Sequence, residues 1–232
     1  FILSLWAMEI AAGRDARLTQ RIYYRYMPLT EPIRRLTVAT LNQGKLNELI
    51  SLLDGLPIEL SSLRSLGDVP EVEETGSTFA ENAALKASEY ARITATYTLA
   101  DDSGLEVAAL GGRPGVLSAR YGGEGLGFGQ KMAMILDEIA SSGTADRRAR
   151  FVCSMAIADP AGRIVHTAEG VCSGMIALEP LGEGGFGYDP IFVPAGRDLT
   201  FGQLSSADKH QISHRARALA EIIPFLRDNS AL

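Results

Sequence analysis

Cysteine is scarce in this chain and does not cluster. Cys153 and Cys172 are the only two in 232 residues, with no CxxC pair and no His-rich tract near them. That excludes a disulfide framework, offers no zinc-ligand spacing, and fits two buried thiols in a reducing cytoplasm. A basic surplus is also missing. With a formal net charge of -6 and a pI near 5.2, the chain has no general nucleic-acid surface, because duplex binding needs many phosphate contacts from a basic face. A polyanionic ligand would have to meet a local basic pocket. No apolar run approaches the roughly 20 residues that span a bilayer, which excludes an integral helical membrane protein.

The opening stretch is not expected to be a secretory leader either. Arginines at positions 14, 17, 21 and 25 interrupt any apolar core, while Glu9 and Asp15 count against an arginine-rich transit peptide. Residues 1–35 are expected to be an extension, disordered or not native, with the natural start at Met27. Residues 36–229 are expected to form a single domain. A hydrophobic share of 46% with 22% charged residues suffices for one large core or two modest lobes.

The stretch TLADDSGLEV delivers two adjacent acids, Asp101 and Asp102, into Ser103 and Gly104 after an apolar lead-in. This reads either as a catalytic turn at a strand end or as a solvated capping turn. Adjacent carboxylates repel, so burial would demand a counter-charge, a metal or a proton. Upstream, Leu36–Thr40 reads as a buried strand, and from Lys45 onward apolar residues at 46, 49, 50 and 53 have helical spacing. The turn between them holds Thr40, Asn42, Gly44 and Lys45 at a helix N-terminus, a place that favours anions. It lacks Walker-loop spacing, and a plain capping turn is the alternative.

In VPEVEETGSTFAENAALKASEYAR, Thr78 and Glu81 fit a capping box. Asn82 and Lys86, four apart, share one face of the helix that follows. Glu71 and Glu73 read as solvated loop acids; Glu74 lies just ahead of the cap. The glycine-rich run AALGGRPGVLSARYGGEG suggests a long ordered loop, and Met132, Ile135, Leu136 and Ile139 mark an amphipathic helix. Residues 150–158 and 163–173 read as a hairpin turning at Asp159–Gly162, with His166 structural in its second strand. LGEGGFGYDPIFVP holds Phe186, Tyr188 and Asp189 among glycines ahead of a strand at Ile191–Val193. Glycines let backbone approach a ligand, and an aromatic held there can face a flat ring. A last helix carries apolar residues at 219, 222, 223 and 226, with Lys209, His214 and Arg215 at or before its start.

TLNQGK, EETGSTFAENAALKA, ADDSGL, RPGVLSARY, GGFGYDPIF and ISHR together, in this order over about residues 36–227, resemble the inosine triphosphate pyrophosphatase family. The resemblance implies an α/β fold, an elongated mixed β-sheet flanked by helices, and two lobes with a central active-site cleft. It further implies a homodimer and magnesium-dependent release of pyrophosphate from non-standard purine nucleoside triphosphates. By position, Thr40, Leu41, Asn42, Gln43, Gly44 and Lys45 match the family's phosphate-binding turn, and Lys86 a substrate lysine. Glu74 and Asp102 match the magnesium-site acids, with Asp102 also the proton acceptor and Ser103 a substrate contact. Phe186, Gly187, Tyr188 and Asp189 match the base-binding segment, Lys209 a further substrate lysine, and His214 with Arg215 the pair that reads the purine. Leu41 stands where the family often has a smaller residue. Two other readings use the same residues: a metal-dependent phosphomonoesterase, which would release orthophosphate, and a non-catalytic nucleotide sensor, which would not need Asp102.

Overall fold

The computed structural model describes residues 32–230. The expectation that the opening stretch is an extension therefore falls largely outside the described residues. The described fold nevertheless starts ahead of Leu36. Ile33 is fully buried, donates its N–H to Asn229 O at 2.7 Å and forms an isolated bridge with Ser230.

Six strands form one mixed sheet in the order β2-β1-β3-β4-β5-β6. β1 (Arg35–Val38) lies between β2 (Glu59–Ser62) and β3 (Tyr97–Val107), parallel to both. β3, β4 (Arg148–Ala158), β5 (Ile164–Ile176) and β6 (Phe192–Pro194) are antiparallel in turn. The β4–β5 hairpin turns where the sequence predicts: Asp159 Oδ1 accepts the N–H groups of Ala161 and Arg163 at 3.0 and 2.9 Å, and Gly162 takes φ +80°.

The long strands β3, β4 and β5 carry both lobes. Near the start of β3, one face of the sheet packs on α1 (Gln43–Leu53) and α5 (His214–Asn229). Leu36, Leu49, Leu99, Met155, Leu219 and Ile222 close that core. The opposite face takes α2 (Phe79–Thr94), where Ala83, Ala87 and Tyr90 meet Ala100 and Ala156; the small residues let helix and sheet approach closely. The other end of β3 belongs to a second core, in which α3 (Phe128–Ser141) places Ile135 and Ile139 with Leu105, Val107, Phe151, Phe192 and Phe201. The Thr78 cap of α2 forms as predicted, its side chain accepting Glu81 N–H at 3.2 Å.

One expectation about the strands needs correction. Asp101–Gly104 form no turn at a strand end: they lie in the middle of β3, which pairs with β4 without interruption from Thr98 to Val107. Glycine is required inside this strand because a Cβ on Gly104 would come within 2.4 Å of Ser118 Oγ and 2.6 Å of Gly115 O. The last helix, α5, starts at His214 with Lys209 ahead of it, as read from the sequence, and a separate short helix precedes it. Ser213 ends α4 (Ser206–Ile212) and caps α5, its hydroxyl accepting Ala216 N–H at 3.2 Å.

Candidate active site

β1 stops at Val38, opposite Leu99, and β3 continues past it. At this carboxyl end of a parallel pair, where open α/β sheets take their ligands, lies a cleft of about 640 Å³. Its wall includes the turn after β1. Asn42 caps α1 by accepting Lys45 N–H at 3.0 Å, and Thr40 Oγ1 accepts Asn42 N–H at 3.2 Å. The helix N-terminus thus opens on the cleft.

The two adjacent acids separate because successive side chains on a strand point to opposite faces. Asp101 turns toward α1 and α5, where its Oδ2 lies 3.2 Å from Lys45 Nζ and 3.3 Å from Arg215 Nη2. Burial alone would raise its pKa, but Lys45, Arg215 and Lys86 hold the carboxyl well below the usual carboxylate range. Asp102 turns toward α2. Its Oδ2 accepts Asn82 Nδ2 at 3.0 Å, its Oδ1 accepts Ser103 N–H at 2.9 Å, and Lys86 Nζ stands 3.8 Å from Oδ1. Burial lifts Asp102 above its ordinary value, against the pull of Lys86 and Lys45 and aided by the charge of Glu74. Glu74 reaches the same ammonium at 2.5 Å, and Lys86 keeps a raised pKa despite its burial because Asp102, Asp101 and Glu74 surround it.

A second set of groups sits where α1, α4 and α5 meet. Lys209 Nζ lies between Glu48 Oε1 (2.7 Å) and Asp189 Oδ2 (2.6 Å), under the Phe186 ring at 4.7 Å from its centroid. Arg215, 1% exposed, gives Nη1 to Glu48 and Nη2 to Asp101 and to Ser103 Oγ at 3.0 Å. Burial would lift Glu48, but Arg215 and Lys209 bring it below its ordinary value. His214 stacks on Phe151 with centroids 4.7 Å apart. Burial, with the neighbouring Arg215 and Lys209 cations, holds it well below its usual pKa and so neutral. His214 Nδ1, Arg215 Nε and Asp101 Oδ1 are buried without a hydrogen-bond partner. Such atoms are uncommon in folded proteins, and here they gather beside one cleft.

Glycines set this geometry at two points. A Cβ on Gly170 of β5 would meet His214 O at 2.1 Å and Ala218 N at 2.4 Å, so the start of α5 lies directly on the sheet. Gly185, at φ +70°, leaves room for Asp189 Oδ2, which accepts Phe186 N–H at 2.8 Å.

Of the residues expected in the site, Thr40, Leu41, Asn42, Lys45, Glu74, Lys86, Asp102 and Ser103 line the cleft, as do Phe186–Asp189, Lys209, His214 and Arg215. Gln43 and Gly44 do not. Gln43 turns outward to Asn47 Oδ1 at 2.7 Å, and Gly44 lies under Phe186, whose ring atoms are 2.7 Å from where a Cβ would stand. Glu71 and Glu73 are exposed as expected, yet they line the cleft. Three contributors went unassigned in the sequence: Glu48, Asn82 and Arg120. Asn82 shares the predicted helical face with Lys86, and Glu48 lies one turn beyond Lys45; those spacings were the available signal. His166 stacks on Phe225 at 4.3 Å and is not among the cleft residues.

Among the described residues no three His, Cys, Asp or Glu converge as a metal site. Glu74 and Asp102 share one ammonium and are hard oxygen donors. Two carboxylates suit a magnesium ion whose remaining ligands are phosphate oxygens and water.

Comparison with known proteins finds close relatives in sequence and in fold. A protein named dITP/XTP pyrophosphatase from Geobacillus kaustophilus is 47% identical over 190 residues, covering 82% of this chain and 93% of that protein. One of the same name from Geobacter sulfurreducens is 49% identical over 186 residues, 80% of this chain and 93% of its own. Among solved structures, a HAM1 protein from Coxiella burnetii superposes with a TM-score of 0.78 at 38% identity, covering 84% of this chain and all of that one. The Staphylococcus aureus Ham1 protein gives 0.74 at 41% identity, covering 84% of this chain and 98% of its own. The Ham1 family model matches residues 36–225, and the chain belongs to the Ham1 family.

Proposed function

We propose that this chain hydrolyses non-standard purine nucleoside triphosphates (ITP, dITP and XTP) to the nucleoside monophosphate and pyrophosphate, and so cleanses the nucleotide pool. The observation that carries the reading is that one cleft joins an anion-favouring helix start, an acid pair on a lysine and a polar aromatic pocket. Relatives named dITP/XTP pyrophosphatase support the substrate class. Magnesium is the proposed cofactor, held by Glu74 and Asp102; when bound it would offset triphosphate charge and polarise the reacting phosphate. A homodimer in the cytoplasm completes the proposal. The family resemblance supports the dimer, two free buried thiols suit a reducing compartment, and among the described residues no helix is long and apolar enough to cross a membrane.

Asp102 is the proposed base. A water attacks the α-phosphorus, its proton passes to Asp102, and the bond from that phosphorus to the α,β-bridging oxygen breaks, with the electron pair leaving on pyrophosphate. A carboxylate with a raised pKa suits this role. Lys45 and Lys86 stand at the phosphates. At the base end, the unpartnered Arg215 Nε and His214 Nδ1 support recognition of a purine 6-oxygen. An adenine amino group there would leave an Arg215 donor unpaired, at about 1–3 kcal/mol per contact. The test is incubation with inosine triphosphate and magnesium, followed by identification of both products. Inosine monophosphate with pyrophosphate is the expected result. Orthophosphate would indicate the phosphomonoesterase reading, and no turnover the sensor.

A further inference from the structure

RPGVLSARY is the one recognised motif to which the reaction assigns no residue. Its backbone is fixed on both sides of Arg120. Before it, Ser118 O accepts the Tyr188 hydroxyl at 2.8 Å, and Ala119 O accepts Lys131 Nζ at 2.5 Å. After it, the Tyr121 hydroxyl donates to Glu138 Oε1 at 2.8 Å and accepts Arg113 Nη1 at 3.1 Å. The residue held between these clamps has a 45% exposed side chain that lines the cleft, with Nη1 at 3.7 Å from Glu74 Oε2. Lys45, Lys86, Lys209 and Arg215 each have a carboxylate oxygen within 3.3 Å. Among the described cleft residues, Arg120 is the cation whose charge is committed only at a longer distance.

A rigid base under a half-exposed, loosely paired guanidinium is what a group that must move onto its ligand needs. Arginine suits two phosphate oxygens at once, since its fork donates in parallel. We propose that Arg120 binds the phosphates that leave: its guanidinium passes from Glu74 to the β- and γ-phosphates and offsets the charge that builds on pyrophosphate as the bond to the α-phosphorus breaks. This rests on the pyrophosphatase reading above. It adds a residue whose interaction strengthens during the reaction, so its loss lowers kcat as well as raising KM.

The test uses inorganic pyrophosphate and inosine monophosphate as separate probes, each titrated calorimetrically into the parent, Arg120→Met and Arg120→Lys in the presence of magnesium. Arg120→Met should weaken pyrophosphate binding by about tenfold or more, the size of a lost charge-assisted contact, and leave inosine monophosphate within about twofold. Arg120→Lys should recover part of the loss, and its milder change serves if the Met variant folds poorly. Unchanged pyrophosphate affinity in both variants overturns the proposal, and so does equal weakening of both probes. A parent that binds pyrophosphate but makes none from inosine triphosphate would sink the pyrophosphatase reading instead.

Discussion

Asp101 and Asp102 are neighbours in sequence with opposite environments, and exchanging each for asparagine separates a structural acid from a chemical one. Asp101 is fully buried between Lys45 and Arg215. Removing one partner of a buried ion pair leaves an uncompensated charge and costs about 3–5 kcal/mol. For a chain of this size about 2–4 °C is lost per kcal/mol, so Asp101→Asn should lower Tm by about 6–20 °C. Asp102→Asn should do the reverse of what adjacency suggests. Its pKa is raised by burial, so its charged form opposes folding near neutral pH and the amide should leave Tm unchanged or higher, while Asn82 keeps a hydrogen-bond partner. Turnover should fall by about 10²- to 10⁴-fold, the usual weight of a general base.

The pH dependence of stability carries opposite signs for the two acids. Asp101 has a depressed folded pKa, so its contribution is present above the unfolded carboxylate value and is lost as pH falls through the lower folded one. Asp102 has a raised folded pKa, so its penalty is relieved as pH falls through that value. Differential scanning calorimetry of the parent and both variants from pH 7 to pH 3, with initial rates at pH 7, reads the onset of the first effect and the relief of the second. If Asp101→Asn melts within about 2 °C of the parent, the buried pairing argument is wrong. A well-folded Asp102→Asn with near-native rate removes Asp102 from the mechanism.

Glu74→Gln should raise the magnesium concentration for half-maximal rate severalfold, read from a metal titration of initial rates; a titration that overlays the parent's would make Glu74 a loop acid only. Gly170→Ala should cost about 1–3 kcal/mol, as overpacking does, and reduce kcat/KM, because the methyl meets fixed backbone at His214 and Ala218. Thermal melts and initial rates check this, and unchanged values in both would refute the claim that Gly170 seats α5.

Much of the site could be read from residue order, because helical spacing puts Lys86 with Asn82 and a strand ending at a glycine-containing turn makes an anion-favouring helix start. What could not be read was depth. Nothing in ADDSGL distinguishes a turn from the middle of an eleven-residue strand. The difference comes from β4, which pairs with every one of these residues, and from the loop at Gly115–Ser118, which packs where a side chain at Gly104 would project. Glu48 was illegible for a related reason. On α1 it reads as one more helix-surface acid, and its role exists only because Lys209 and Arg215 arrive from elements more than 150 residues later. Nor does the sequence show that both terminal nitrogens of Arg215 are already engaged and that only its Nε lacks a partner.

These contacts change how the cleft must handle a triphosphate. Lys45, Lys86, Lys209 and Arg215 appear in sequence as a basic pocket in an acidic chain, but in the fold they are outnumbered by Glu48, Glu74, Asp101, Asp102 and Asp189. The acids are needed because a buried ammonium or guanidinium without a partner is costly. Once present, they leave the pocket without the surplus positive charge that a polyphosphate requires. A triphosphate entering such a site must bring a cation of its own or draw one in from the rim. The acid pair on Lys86 would accommodate the first, and half-exposed Arg120 would supply the second. The proposed divalent metal would then serve the charge balance of the folded cleft as much as the chemistry at phosphorus.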